Sequence, residues 1–124
     1  MTTRTQAELA AIERDGQECL RCGRNLYGIP ASVHHRLPRS AGTKAQVDRV
    51  ENLTLLCGSG TTLCHAHVHA NPRESYATGF LIRRGSDPAS RPLLTQTGMM
   101  TMLLPDGTKV SDPVATFDDA VTPW

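Results

Sequence analysis

The histidines of this chain fall in two short segments, and their spacing favours a metal site. His34 and His35 are adjacent, whereas His65, His67 and His69 occupy alternate positions. Residues four apart share one face of a helix, so His65 and His69 can bind the same ion and His34 can complete the set. Three neutral nitrogen ligands would leave coordination positions open for water and a substrate.

The adjacent pair, His34 and His35, is predicted to divide two roles between its members. Neighbours on a strand point to opposite faces, so one imidazole can bind the ion while the other acts as a general base. The alternative is that these residues are ordinary surface or turn histidines, as most single histidines are. The clustering weighs against that alternative. His67 lies off the face shared by His65 and His69 and is expected at the surface or near a phosphate.

The four cysteines form a second candidate site. Cys19 and Cys22 have the spacing of a zinc knuckle, whereas six residues, two of them glycine, separate Cys57 from Cys64. Two disulfides are the alternative. No apolar run follows Met1, so we expect a reducing compartment and a structural Zn²⁺. Such an ion would contribute on the order of 10 kcal/mol to folding.

Composition fits a small zinc-dependent core and a polyanionic partner. Of the 124 residues, 39% are hydrophobic and 4% aromatic, so one small core with many loops is expected. Residues 1–84 hold 11 Lys and Arg against 7 Asp and Glu, and residues 19–47 contain no acidic residue. A phosphate backbone would be attracted there. No run approaches the roughly 20 apolar residues that cross a bilayer, so we expect a soluble, cytoplasmic protein without a membrane partner.

Two strands and a helix must position the candidate ligands. Extended patterns predict strands over residues 32–37 and 53–57, with a polar loop over 39–49 between them. The segment from Cys64 to about Tyr76 can be helical. Pro72 leaves this open, because a helix can instead begin there with Asn71 as its N-cap.

Other elements are predicted at the two ends of the chain. Thr5 and Glu8 have capping-box spacing, which predicts a helix over about residues 5–14. Residues 80–82 are predicted as a strand and 85–92 as a linker. Met99–Leu104 and Thr108–Val110 flank a turn and predict a hairpin, and the last dozen residues are acidic and expected to be loosely held.

With these residues in order, the chain resembles the HNH endonuclease family over roughly residues 19–75. The motifs that carry the resemblance are Cys19-Leu-Arg-Cys22, His34-His35-Arg36, Asn52-Leu-Thr-Leu-Leu-Cys57, and Cys64-His65 followed by His69. The chain is most similar to small HNH nucleases that bacteriophages encode near their DNA-packaging genes. Many relatives have two residues where this chain has six between Cys57 and Cys64.

The resemblance implies an α+β fold: a small ββα-metal, treble-clef-like domain with a four-cysteine structural zinc. An N-terminal helix and a C-terminal hairpin and tail would be added to it. We expect the nuclease domain, with its zinc knuckles, over residues 1–84. Residues 85–124 are expected to form an extension with a hairpin and an acidic tail.

The resemblance also implies the role of each site residue. His34, His65 and His69 would bind a catalytic Mg²⁺, Mn²⁺, Ni²⁺ or Zn²⁺ ion. His35 would be the general base, and Asn52, also a catalytic residue, would brace the loop between the strands and help to orient that base. The activity would be hydrolysis of DNA phosphodiester bonds. We expect it to fall below about pH 6, because a protonated imidazole accepts no proton. The candidate phosphate contacts, which as an alternative are plain surface charges, are Arg36, Arg39, Lys44 and Arg73.

The competing interpretation is a non-catalytic zinc module that binds nucleic acid or a protein partner. It would use the same cysteines and leave the histidines idle or bound to a second structural zinc. A hydrolase acting on a small molecule ranks third, because the sequence has no pattern typical of an apolar pocket. The likeness to phage nucleases implies a role in DNA packaging with a terminase.

Overall fold

The structure is a computed structural model that describes residues 4–95 and 98–112. It is a small mixed α+β domain, as predicted. Its helices and strands are α1 (Gln6–Asp15), β1 (Ala31–His35), α2 (Lys44–Val47), β2 (Leu53–Cys57), α3 (Leu63–Ala70), α4 (Pro72–Thr78), β3 (Leu93–Leu94), β4 (Met100–Leu103) and β5 (Lys109–Asp112). Among the described helices, none has the length and apolar character needed to cross a bilayer.

The centre of the domain is an antiparallel pair of strands, β1 and β2. Both predicted strands are confirmed, although β1 ends at His35, before Leu37. In the register, His34 lies opposite Thr54 and His35 opposite Leu53. All five residues of β2 are buried, and both α1 and α3 pack against this strand. The histidine pair therefore lies at the end of the most buried hairpin in the described chain.

Helix α1 begins at the predicted capping box and ends by covering the outer edge of β2. Thr5 and Glu8 exchange the two hydrogen bonds of that box. At the other end, Asp15 accepts from the Leu55 backbone at 3.0 Å. Arg14 donates to the carbonyl oxygens of Val50 and Leu53. An uncovered strand edge invites pairing with another chain, so this cover protects the central sheet.

The predicted loop over residues 39–49 contains short helical structure, so that prediction is wrong in part. A 3₁₀ turn spans Arg39–Ala41, and α2 is one helical turn with its own capping box between Thr43 and Gln46. This is the same local signal that begins α1.

Residues 64–78 form two helices. Helix α3 covers His65, His67 and His69, and α4 begins with Pro72 as its first residue. The Asn71 side chain does not cap α4; its amide donates 2.9 Å to the carbonyl oxygen of His67, at the end of α3. Both predictions for this segment are correct in part: the histidine segment is helical, and a second helix begins at Pro72.

Two predictions between residues 80 and 92 are wrong. Phe80 and Ile82 are buried, but they lie outside the strands, and the backbone N–H of Ile82 bonds only to the Arg36 carbonyl oxygen. The expected linker contains a 3₁₀ turn, Pro88–Ser90, that packs against the domain. Gly79 permits this close packing, because a Cβ at its position would lie 2.0 Å from the Pro92 carbonyl oxygen.

The predicted C-terminal hairpin is confirmed as β4 and β5, and β3 adds a third strand that the sequence did not predict. Leu93 and Leu103 are fully buried in the same cluster as Leu55 and Leu56 of the central sheet. The domain boundary at residue 84 stays a prediction. The acidic residues of the tail beyond residue 112 lie outside the described residues.

Candidate active site

Three imidazoles from two separate segments meet beside β1. The ligand nitrogens of His34, His65 and His69 all lie within 4.8 Å of one another. Their ring centroids are 5.0 to 5.2 Å apart. His34 comes from the strand, and the other two are one turn apart on α3. The set has the donor type and spacing that suit one divalent transition-metal ion.

The hydrogen bonds of His34 leave one nitrogen free for such an ion. Its Nε2 lies 2.6 Å from the Phe80 carbonyl oxygen. Because a carbonyl oxygen only accepts, Nε2 carries the hydrogen and Nδ1 carries the lone pair. Burial, together with the neighbouring His65 and His69, lowers the pKa of His34 to about 3. The ring is therefore neutral at physiological pH, as a metal ligand must be.

His65 also has a lowered pKa, but its side chain is only half-buried. Burial lowers its pKa, and the nearby His69 adds to this effect. Its Nδ1 lies 2.6 Å from the Ser32 hydroxyl oxygen. His69 is exposed, so the group has one buried, one half-buried and one exposed imidazole. One side of the cluster is therefore open to solvent.

His35 lies on the other face of β1 and points to a carboxylate. Its Nε2 is 3.2 Å from Oδ1 of Asp48. A carboxylate only accepts, so Nε2 carries the hydrogen and Nδ1 remains able to take a proton. Asp48 is held in turn by Lys44, whose Nζ lies 2.7 Å from Oδ2. His35 lines a cavity of about 300 Å³ with Arg39, Lys44 and Asp48.

Asn52 is fully buried and braces the loop that joins β1 to β2. Its side-chain oxygen accepts from the Leu37 N–H at 2.7 Å. Its amide donates to the carbonyl oxygens of Leu37 at 3.1 Å and Val47 at 2.8 Å. It touches neither the histidine cluster nor His35 in these bonds, so its contribution is to fix the backbone that carries them.

The expectation that Arg36 contacts a phosphate is wrong. Its side chain is fully buried, and it donates to backbone carbonyl oxygens, not to an acid. The acceptors are the carbonyl oxygens of Gly79, Glu51, Pro88 and Arg91. Burial lowers the pKa of Arg36 to about 9, which still leaves it charged at neutral pH. The guanidinium holds four segments together and is not available to a ligand.

The other candidate phosphate contacts are accessible. Arg39, Lys44 and Arg73 are all exposed. Arg39 and Lys44 share the cavity wall with His35, while Arg73 lies in the first turn of α4. Their role as phosphate contacts stays a prediction.

The four cysteines form a second cluster with the geometry of a tetrahedral site. All four are free thiols, which excludes the disulfide alternative in this structure, and their sulfur atoms lie within 4.8 Å of one another. Sγ of Cys22 and Sγ of Cys57 are 3.8 Å apart. Zinc–sulfur bonds of about 2.3 Å give a tetrahedral edge of about 3.8 Å, so the donor set fits zinc.

Local turns bring these cysteines together. Cys19 and Cys22 lie on a tight turn closed by a 2.8 Å bond from the Gly23 N–H to the Cys19 carbonyl oxygen. After Cys57, Gly58 has a φ of +88°, and a Cβ there would lie 2.1 Å from the Thr62 carbonyl oxygen. Only glycine permits that reversal. The wider spacer between Cys57 and Cys64 is therefore accommodated by a sharp turn.

The cysteine cluster and the histidine helix are linked by Arg21, which the sequence did not single out. Its guanidinium donates 3.4 Å to Sγ of Cys64 and lies 3.5 Å from Glu74. Glu74 also lies 2.6 Å from Nε2 of His67. Burial raises the pKa of the Cys64 thiol, and the Arg21 hydrogen bond opposes that effect. His67 thus contacts α4, apart from the three clustered imidazoles.

Three site residues were missed by sequence reasoning: Ser32, Asp48 and Arg21. A signal existed for Ser32, since it lies two residues before His34 and so shares its face of the strand. Arg21 lies between Cys19 and Cys22, so the sequence predicts where its backbone lies but not which groups its guanidinium contacts. For Asp48 no signal was available, because its contact with His35 depends on the path of the intervening loop.

The comparisons with known proteins bear on the segment that carries both clusters. Residues 19–71 match the family model for HNH endonuclease. That segment contains both cysteine pairs, the histidine pair, Asn52, and the two clustered histidines of α3. No curated protein sequence and no solved structure matches the chain.

Proposed function

We propose that this protein is a metal-dependent DNA endonuclease that uses one divalent ion. The observation that supports it best is the meeting of His34, His65 and His69 within 4.8 Å, with His35 next to it along the strand. This constellation lies inside the segment that matches the HNH endonuclease model. A zinc module without catalysis would leave these histidines idle or use them for a second structural zinc, but a structural zinc normally has four protein ligands and only three donors gather here among the described residues.

In the proposed reaction, the protein supplies ligands, a base and phosphate contacts. His34, His65 and His69 would hold one divalent ion, whether Mg²⁺, Mn²⁺, Ni²⁺ or Zn²⁺, and this ion would supply the positive charge that polarises a phosphate and stabilises a leaving oxygen. His35 accepts the proton of the attacking water through Nδ1, while Asp48 holds the ring through Nε2. The four cysteines would hold a structural Zn²⁺.

DNA is proposed to approach over the accessible basic residues. Arg39 and Lys44 line the cavity that His35 faces, so they can hold the backbone beside the base. Arg73 lies at the start of α4, in the element after the histidine helix. Phosphate contacts of this kind position the DNA backbone and carry no sequence information.

The experiment is cleavage of supercoiled plasmid by zinc-loaded protein, with Mg²⁺, Mn²⁺ or Ni²⁺ added in turn. The wild type should nick the plasmid, and His35→Ala should lower the rate by about 10² to 10⁴-fold, the usual contribution of a general base. His67→Gln is the matched control, because this histidine lies outside the three-ligand group, and it should retain activity. DNA binding without nicking under every ion would replace the proposal with the non-catalytic module.

The proposal extends to DNA packaging by a bacteriophage, with a terminase as partner and the host cytoplasm as the location. This part rests on the resemblance of the His-His-Arg and Cys-His motifs to phage nucleases. Its test is the coding neighbourhood: a terminase gene next to this one supports it, and a chromosomal setting without phage genes contradicts it.

A further inference from the structure

We propose that Ser32 is a positioning residue that sets the tautomer of His65 and so controls the affinity of the histidine cluster for its ion. Ser32 has no role in the assignment above, and this inference rests on the proposed metal site. Ser32 and His34 lie on the same face of β1, with one residue between them. The Ser32 hydroxyl can therefore reach α3 next to the His34 ring.

The Ser32 hydroxyl has two partners but only one hydrogen. It donates to the carbonyl oxygen of Gly58 at 2.9 Å, and it lies 2.6 Å from Nδ1 of His65. The Gly58 oxygen can only accept, so the hydroxyl hydrogen is used there. The hydroxyl oxygen must then accept a hydrogen from His65. Nδ1 of His65 is consequently protonated, and Nε2 keeps the lone pair that binds metal.

The same two bonds tie the histidine to the turn that follows Cys57. Gly58 directly follows Cys57, and a Cβ at Gly58 would lie 2.1 Å from the Thr62 carbonyl oxygen, so the turn has no room for a side chain there. The His65 ring is thus held, through Ser32, against the turn between Cys57 and Cys64. Histidine ligands generally need such an outer partner, and its removal typically weakens metal binding by about 10 to 100-fold.

The test measures Ni²⁺ binding to full-length, zinc-loaded protein by isothermal titration calorimetry, independently of cleavage. Ser32→Ala should raise the Ni²⁺ Kd by about 10 to 100-fold, while zinc remains at one ion per chain. Ser32→Thr keeps a hydroxyl on a strand position that suits threonine and should restore most of the affinity. Ser59→Ala is the matched control, since its hydroxyl bonds only to Thr61 and Thr62 and it should bind Ni²⁺ like the wild type.

A Ser32→Ala protein that binds Ni²⁺ within about twofold of the wild type would overturn the inference. Should that variant fail to fold, ¹⁵N imidazole spectra of the wild type decide the matter. A hydrogen on Nδ1 of His65 is expected, and a ring protonated mainly on Nε2 contradicts the inference. Wild-type protein that binds Ni²⁺ at the histidines but cuts no DNA would end the proposed function and leave the role of Ser32 intact.

Discussion

The Arg36 guanidinium donates to the carbonyl oxygen of Pro88 at 3.0 Å, which joins the end of the histidine strand to the segment beyond residue 84. Three other backbone carbonyls complete its surroundings. We expect Arg36→Met to lower the free energy of unfolding by more than about 3 kcal/mol, because four backbone carbonyls, three of them buried, lose a charged donor. Arg36→Lys should lower it as well, since one ammonium group cannot reach all four. Urea denaturation of zinc-loaded protein measures both.

Arg39→Met is the control for this prediction. Arg39 is the same residue type three positions further on, but its side chain is exposed. Its substitution should change stability by no more than about 0.5 kcal/mol. Equal losses of unfolding free energy in Arg36→Met and Arg39→Met would show that the buried hydrogen bonds of Arg36 contribute nothing extra to stability.

Arg21 should strengthen the binding of zinc by the four cysteines. It donates to Sγ of Cys64 and brings a positive charge to a cluster of four thiolates. Arg21→Met keeps much of the side-chain bulk but removes that donor, so zinc affinity should fall by about 10 to 100-fold. A competition assay with a chromogenic chelator reports it. Arg24→Met, at an exposed position of the same knuckle, should leave the affinity unchanged, and an equal loss there would contradict the assignment.

The buried hydroxyl of Thr54 should lower the stability of the fold, and a substitution can remove it. It is fully buried opposite His34, and its Oγ1 has no hydrogen-bond partner in the described chain. Thr54→Val keeps the shape and deletes the unpaired hydroxyl, which should stabilise the protein by about 1 kcal/mol. Thermal denaturation at fixed zinc is the measurement. A lower Tm would reveal a bond from this hydroxyl to ordered water.

Asn52 should contribute to stability through its three buried hydrogen bonds. Asn52→Asp keeps the acceptor for Leu37 but replaces the donor to Leu37 and Val47 with a second oxygen. We expect a loss of about 2 to 3 kcal/mol in unfolding free energy, together with slower cleavage. Asn25→Ala, which removes one exposed bond to Tyr27, should cost much less. Similar losses for the two variants would contradict the bracing role.

The apo histidine site should make folding sensitive to acid. Burial is the largest cause that lowers the pKa of His34 from 6.5 to about 3. Between pH 3 and pH 6.5, His34 is therefore protonated in the unfolded chain and neutral in the folded chain. Stability therefore falls as the pH drops below 6.5. Between pH 7.5 and 5.5 the contribution of His34 should be about 1.4 kcal/mol. Urea denaturation at several pH values, with zinc bound only to the cysteines, measures the pH dependence of the free energy of unfolding. The difference between the wild type and His34→Asn gives the contribution of His34. Equal pH slopes in the two proteins would count against it.

The ligand sets were predictable because their geometry is largely local. The four-residue step from His65 to His69, the strand alternation at His34, and the tight cysteine pair each follow from one element. The contact between the strand and α3 needed only the assumption that one ion joins them. These predictions depended on short stretches of chain, and the structure brings the stretches together.

The failures have a common origin in contacts between distant parts of the chain. Arg36 resembles its exposed neighbour Arg39 in sequence, but its acceptors come from residues 51, 79, 88 and 91. No local pattern indicates that these carbonyls converge. Phe80 and Ile82 were expected to pair in a sheet because they are apolar, yet burial does not require a strand. Helix α2 differs, because Thr43 and Gln46 have capping-box spacing, which is a local signal in the sequence.

Cys64 and His65 are neighbours, so a single peptide bond separates one thiolate ligand from one imidazole ligand. The turn that aims Cys64 at the other sulfurs also sets the start of α3 and hence the direction of His65. On the proposed assignment, one turn therefore positions a donor of each centre, and a change in that turn would disturb both centres at once.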